Sequence, residues 1–183
     1  VPLPAPLALY VEPTNVCNFR CVFCPESFKD YEDIAGGLFK LAPDDFERIA
    51  SQVEDIGGVQ TLNFYMMGEP FANRNLLDYI SIAKERSLGR KLILTSNGSL
   101  LKKEHYARLC GSRLDYLRIS IYGSNEDTHR TNTDSPVKLA RIRENVAELK
   151  AFRDANGHAT PHIYVKMIKS ARAEENAEFL ESF

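Results

Sequence analysis

The strongest constraint on this 183-residue chain is an alternation of short apolar runs with amphipathic helical stretches. Leu9–Val11, Val59–Met67, Lys91–Thr95, Asp115–Ile121 and Ile163–Ile168 read as strands. Pro43–Ile56, Asn75–Arg86, Leu101–Leu109, Val137–Asp154 and Glu174–Phe183 read as helices. In the first helix Pro43 suits the opening position, and Asp44 and Asp45 suit the positive end of the dipole. Phe46, Ile49, Val53 and Ile56 share one face, and Gly57-Gly58 stops the helix. Pro136 is expected to open the fourth helix, with Asp134 or Ser135 as its cap. The polar stretch from Tyr122 to Ser135 reads as a loop.

Strands alternating with helices imply right-handed βαβ units around a parallel sheet. Five units are too few to close an eight-stranded barrel. In such α/β folds, sites form at the carboxyl ends of the strands. The loops that matter are then Pro13–Leu41, Met67–Asn73, Ser96–Leu100, Tyr122–Ser135 and Lys169–Ala173.

The length suffices for one domain with its own core, and 44% hydrophobic with 26% charged residues is ordinary for a globular protein. A net charge of −2 gives no reason to expect a nucleic acid or an anionic membrane surface as partner. No apolar run reaches the roughly 18 residues of a membrane-spanning helix. The Pro-rich start lacks the basic region of a secretory signal, and the absence of an initiator Met makes a piece of a longer chain the expectation. Four cysteines in a chain of this size suit metal binding in a reducing cytoplasm better than a disulfide framework.

Three of them, Cys17, Cys21 and Cys24, follow the first strand directly, at the ligand-binding end of the sheet. A [4Fe–4S] cube takes four ligands. This loop supplies three, and Cys110 is expected at the opposite end of the sheet. One iron would be left open to another molecule. The alternatives are a zinc ion, for which no fourth His or Cys lies nearby in sequence, and three buried thiols of no function.

The spacing C-x₃-C-x₂-C just after a first strand resembles the signature of the radical S-adenosylmethionine superfamily. The run Glu12-Pro-Thr-Asn-Val-Cys-Asn-Phe-Arg-Cys21 is similar to the branch that carries a C-terminal SPASM or twitch extension. The resemblance implies a partial (β/α)6 barrel of which about five βα units are present. Residues 1–183 would be its core domain, incomplete at the C-terminus, with an auxiliary domain beyond. It implies a [4Fe–4S] cluster on Cys17, Cys21 and Cys24 that reductively cleaves S-adenosylmethionine to a 5′-deoxyadenosyl radical. That radical takes hydrogen from a substrate, either a peptide or a small molecule such as a carbohydrate or aminoglycoside. A flavodoxin or ferredoxin would supply the electron. The alternative of another class is a binding module with a structural cluster or zinc.

The same resemblance assigns the cofactor's contacts. Phe23, before the last cysteine, matches the aromatic near the adenine. Gly68 and Glu69 match the motif that holds the methionine amino group, with Met67 where relatives have another Gly. Ser96 and Asn97 resemble the turn that reaches the ribose or carboxylate, and Ser120 matches a further serine. Tyr122 stands where relatives often have Asp. His129 falls on a common His, but the Arg expected four residues later is Thr133, leaving Arg130 as the stand-in for a carboxylate clamp. Val165, Met167 and Ile168 are candidates for an apolar wall beside the adenine. Lys166, unusual within a strand, would meet a carboxylate of substrate or cofactor if it points into the active end.

Overall fold

The computed structural model describes all residues except Val1, Pro2, Pro4, Ser170 and Phe183. In chain order the elements are β1 (Ala8–Val11), α1 (Tyr31–Ile34), α2 (Pro43–Asp55), β2 (Val59–Phe64), α3 (Leu76–Glu85), β3 (Gly89–Ser96), α4 (Lys103–Gly111), β4 (Tyr116–Ile121), α5 (Glu126–Thr133), α6 (Leu139–Ala155), β5 (His162–Met167) and α7 (Ala173–Ser182). The strands form one sheet in the order β1-β2-β3-β4-β5, every neighbouring pair parallel. Each crossover therefore moves one strand in the same direction, and right-handed crossovers then place the helices on one side. This is the winding of a barrel rather than of a doubly wound sheet, and the expected partial barrel of five βα units is what forms.

Alternation along the strands separates two faces. Leu62, Phe64, Leu92, Leu94, Leu117, Ile119 and Ile121 point to the helices and are almost wholly buried. Burying one such side chain contributes roughly 1.5–3 kcal/mol, so this face anchors the sheet. From the helical layer Phe46, Ala50, Leu76, Ile80, Leu109, Ile142 and Leu149 complete the core. The opposite face carries Tyr10, Asn63, Tyr65, Lys91, Thr95, Tyr116, Arg118 and Ser120, a lining rather than a core. On β5 exposed and half-buried residues alternate, and among the described residues no strand pairs with its outer edge.

The structure departs from the expectations in several places: within the expected Pro13–Leu41 loop, Tyr31–Ile34 forms the short helix α1. The stretch after Ile121, expected as loop, contains α5, a helix too polar to show an apolar stripe. Asn125 starts it: its side chain accepts from Thr128 N at 3.0 Å, while its own N–H donates to Thr128 Oγ1 at 3.3 Å. Asp134 ends α5 in the left-handed region, with φ 45°. It therefore does not cap the next helix, which begins later, at Leu139. Pro136 lies outside that helix, and Glu126 accepts from Leu139 N and Ala140 N, at 2.8 Å each. β2 stops at Phe64 rather than Met67, because Met67 N turns away to Glu12 at 2.6 Å. The expected helix end at Phe183 lies outside the described residues.

Candidate functional site

The cysteine loop leaves β1 and turns under its own hydrogen bonds. Cys24 N donates to Cys21 O at 2.8 Å. The Arg20 guanidinium donates to Cys17 O and Phe19 O, at 3.0 Å each, and to Glu26 at 2.8 Å. Arg20 thus ties the first half of the loop to the segment after its last cysteine. Two backbone bonds then fix the loop to the end of α5: Arg20 N to Thr133 O at 2.9 Å and Val22 N to Asn132 O at 3.0 Å. Phe19 plugs the loop into the core, edge-on to the ring of His129 at 5.8 Å.

Cys17, Cys21 and Cys24 line one hollow at the carboxyl ends of the strands, together with Gly68, Glu69, Ser96, Asn97, Ser120 and Tyr122. All four cysteines are free. Cys110 is not among the lining residues; it is buried near the end of α4, just before β4 begins.

Burial dominates the electrostatics. It pushes the Cys17 thiol up to about 11 and Cys21 to about 12, and nearby Glu69 and Glu26 push Cys17 further in the same direction. Thiolates at neutral pH therefore need a cation among them. Among the described residues no three Cys, His, Asp or Glu side chains converge on a single metal ion. The thiols instead surround a shared hollow, which suits a centre of several irons, each taking its own thiolate.

Glu69 is 2% exposed and faces the end of β3. It accepts from Ser96 Oγ at 2.7 Å, Asn97 N at 2.7 Å and Phe71 N at 3.2 Å. Burial raises it to about 7 despite those three donors. Its carboxylate fixes the Ser96-Asn97 turn at the rim of the hollow. Asn97 in turn donates to Asn18 Oδ1 at 3.0 Å, tying that turn to the cysteine loop. Gly68 passes so close to the loop that a Cβ there would lie 2.2 Å from Thr14 O. Gly123 is as tight, its Cβ position 2.2 Å from His129 N.

Phe23, half exposed, rests on Tyr122 at 5.1 Å, and both line a second hollow with Met167 and Ile168. Tyr122 borders both hollows, and burial raises its phenol to about 12. Arg130 lines neither; it is exposed on α5, 3.5 Å from Asp127. His129 is fully buried, and neither ring nitrogen makes a hydrogen bond of ordinary geometry. Lys166 stands on the lining face of β5, level with Ser120.

Two residues not singled out in the sequence, Glu12 and Glu26, belong to this site. Glu12 accepts from Met67 N and from Gly68 N, holding that strand end to β1. Glu26 is 3% exposed, and its Oε1 has no hydrogen-bond partner although it borders the cysteine hollow. Thr95 Oγ1 is likewise enclosed beside the hollow and unpartnered. The signal available for Glu26 was its place one residue after Cys24-Pro25; for Glu12 it was its position at the end of the first strand.

Fold and site together define an α/β partial barrel with three thiols bordering one hollow at the mouth of its sheet. The chain belongs to the radical SAM superfamily, whose family model matches residues 11–173. It is 30% identical over 119 residues to the PqqA peptide cyclase of Rhodopseudomonas palustris, covering 65% of this chain and 29% of that protein. It is 30% identical over 167 residues to the GTP 3′,8-cyclase of Geobacter sulfurreducens, covering 91% of this chain and 48% of that one. The fold resembles Streptococcus suis SuiB, solved bound to the precursor peptide SuiA, with a TM-score of 0.75 at 20% identity. That match covers 98% of this chain and 37% of SuiB. The chain thus spans less than half the length of these relatives. Members of the superfamily are enzymes that use S-adenosylmethionine and a [4Fe–4S] cluster.

The residues present fit that pair of groups. Three free thiols are available for iron, and the unpartnered Glu26 Oε1 and Thr95 Oγ1 border the same hollow as polar atoms for a ligand to meet.

Proposed function

We propose that this chain is the radical-generating core of an enzyme that abstracts hydrogen from a peptide substrate. The observation that carries the reading is the gathering of Cys17, Cys21 and Cys24 around one hollow at the mouth of the sheet, rimmed by Gly68, Ser96, Asn97 and Ser120. Cys17, Cys21 and Cys24 would hold the [4Fe–4S] cluster, leaving one iron for S-adenosylmethionine. When bound, the two supply reductive cleavage of the cofactor to a 5′-deoxyadenosyl radical. The protein's own part is to orient and to enclose. Glu69 fixes the Ser96-Asn97 turn, Gly68 lets the strand end approach the cysteine loop, and Phe23 with Met167 offers an apolar wall beside Tyr122. Arg130 is not positioned at either hollow, so a carboxylate partner for the cofactor is sought first in Ser96, Asn97 and Ser120.

A peptide is favoured over a sugar-like substrate by the SuiB fold likeness and by the similarity to PqqA peptide cyclase. A flavodoxin or ferredoxin in a reducing cytoplasm suits the electron demand and the four free cysteines. No helix among the described residues is long and apolar enough to cross a membrane. The open outer edge of β5 suits further chain that pairs with it, in an auxiliary domain beyond residue 183.

Anaerobic reconstitution with iron and sulfide tests the reading. About four irons per chain are expected, with an EPR signal that changes on adding S-adenosylmethionine and release of 5′-deoxyadenosine on reduction. Cys17→Ala should abolish all three. One tightly held zinc, or a cluster indifferent to S-adenosylmethionine, would overturn it.

A further inference from the structure

The lining face of the sheet carries three cations on adjacent strands. Ile93 is level with Tyr116 and Thr95 with Arg118, so Lys91 and Arg118 share this face. Arg118 is level with Tyr164 and Ser120 with Lys166, which adds Lys166. Among the described residues none of the three takes part in an ion pair, although many of the chain's other cations do. The Lys91 ammonium lies over the Tyr116 ring, 5.6 Å from its centroid. The carboxylate at the top of this face, Glu12, is occupied by Met67 N and Gly68 N.

Arg118 and Lys166, on neighbouring strands without counter-charges, repel one another and gain when an anion arrives. Here burial and the charge of Arg118 both disfavour the Lys166 ammonium. The cationic face also meets the unpartnered polar rim of the cysteine hollow. Thr95 Oγ1, beside Arg118 in the register, is enclosed and has no partner. Ser120, level with Lys166, borders the cysteine hollow, so the cationic face runs directly into the place where the radical would be made.

We propose that this face binds the substrate, and that the substrate is an acidic peptide whose Asp or Glu side chains meet Arg118, Lys166 and Lys91. The inference rests on the radical-enzyme reading and names its substrate class. The spread of the charges selects a peptide. By register Lys91 is level with residue 114 and Lys166 with residue 120, a separation of about 20 Å along the strands at 3.3 Å per residue. A compact anion satisfies one of these positions; an extended chain with spaced carboxylates reaches them all. Tyr10, Tyr65, Tyr116 and Tyr164 on the same face offer flat apolar surface to the peptide between its charges.

The test uses the reconstituted protein with S-adenosylmethionine and two fluorescent nonapeptides, identical except that three Glu in one are Gln in the other. Anisotropy should show the Glu peptide bound about tenfold more tightly, the worth of one charge-assisted contact. The advantage should shrink at high salt, as expected for charges in partial contact with water. Lys166→Gln should lower it, and Arg118→Gln should remove most of it while Arg118→Lys retains it. Unlabelled GTP should not displace the Glu peptide. Equal affinity for the two peptides, no measurable binding of the Glu peptide, or displacement by GTP would each overturn the proposal. Release of 5′-deoxyadenosine from the same preparation is read separately. Its loss overturns the radical reading, whereas charge-blind binding with release intact overturns only the acidic peptide.

Discussion

His129 falls where the resemblance places a His; its surroundings give it a packing role. It is enclosed against Phe19, and burial pushes its ionisation down, with Glu126 and the Val137 backbone pulling weakly the other way. A base whose folded pKa is lowered binds its proton more readily in the unfolded chain, so its contribution to stability is complete above the ordinary value of 6.5 and is lost as pH falls. Replacing the imidazole in His129→Gln should therefore raise the urea midpoint of the metal-free chain at pH 5.5 relative to pH 7.5, compared with the wild type, whose own profile is pulled the opposite way by Glu69, a carboxyl that burial raises to about 7. His105, also lowered by burial, pulls the wild-type profile in the same direction as His129. An unchanged slope in the variant would refute the assignment. Glu69 was legible through the resemblance as a strand-end acid, but not its orientation. The three donors that hold it come from β3 and from the turn after Pro70, so its role depended on where those elements were brought.

Among the elements, α5 and the short α1 were not foreseen in the sequence, and α5 is the one that bears on the site. Helices are recognised by apolar periodicity, and Glu126–Thr133 has none; only His129 and Thr133 are buried, and both are polar or titratable. The Asn125–Thr128 pair was the legible start signal. The helix matters because its last carbonyls, on Asn132 and Thr133, hold the cysteine loop. Asn125→Ala removes the cap and should cost about 1 kcal/mol of local stability. Native-state hydrogen exchange should then speed up at the Arg20 and Val22 amides, while amides in β2 and β3 stay protected. Equal acceleration throughout the sheet would mean that the cap supports global stability rather than the latch. The strands and the remaining helices were readable within a few residues, because their burial follows the period of each element. Only their ends moved, where side chains such as Glu12 and Glu126 captured backbone donors from distant segments.

At the scale of the whole molecule the sheet ends on an exposed strand. Tyr164 is 54% and Ile168 57% exposed, and an apolar edge of this kind is a template for pairing with another chain. The 183-residue chain alone should therefore sediment with concentration-dependent association, and Tyr164→Lys with Ile168→Lys should return it to a monomer. A wild-type chain that is monomeric at all concentrations would show that the edge is protected in some other way. The sequence by itself determined the α/β class, the parallel order implied by the alternation, and the cysteine trio at the end of the first strand, because periodicity and ligand spacing are local properties. Only the tertiary structure decided that Arg20 and α5 clamp the cysteine loop, that Arg130 stays outside both hollows, and that Lys91, Arg118 and Lys166 share one face. Those relations are set by register between strands distant in sequence, and no window along the chain contains them.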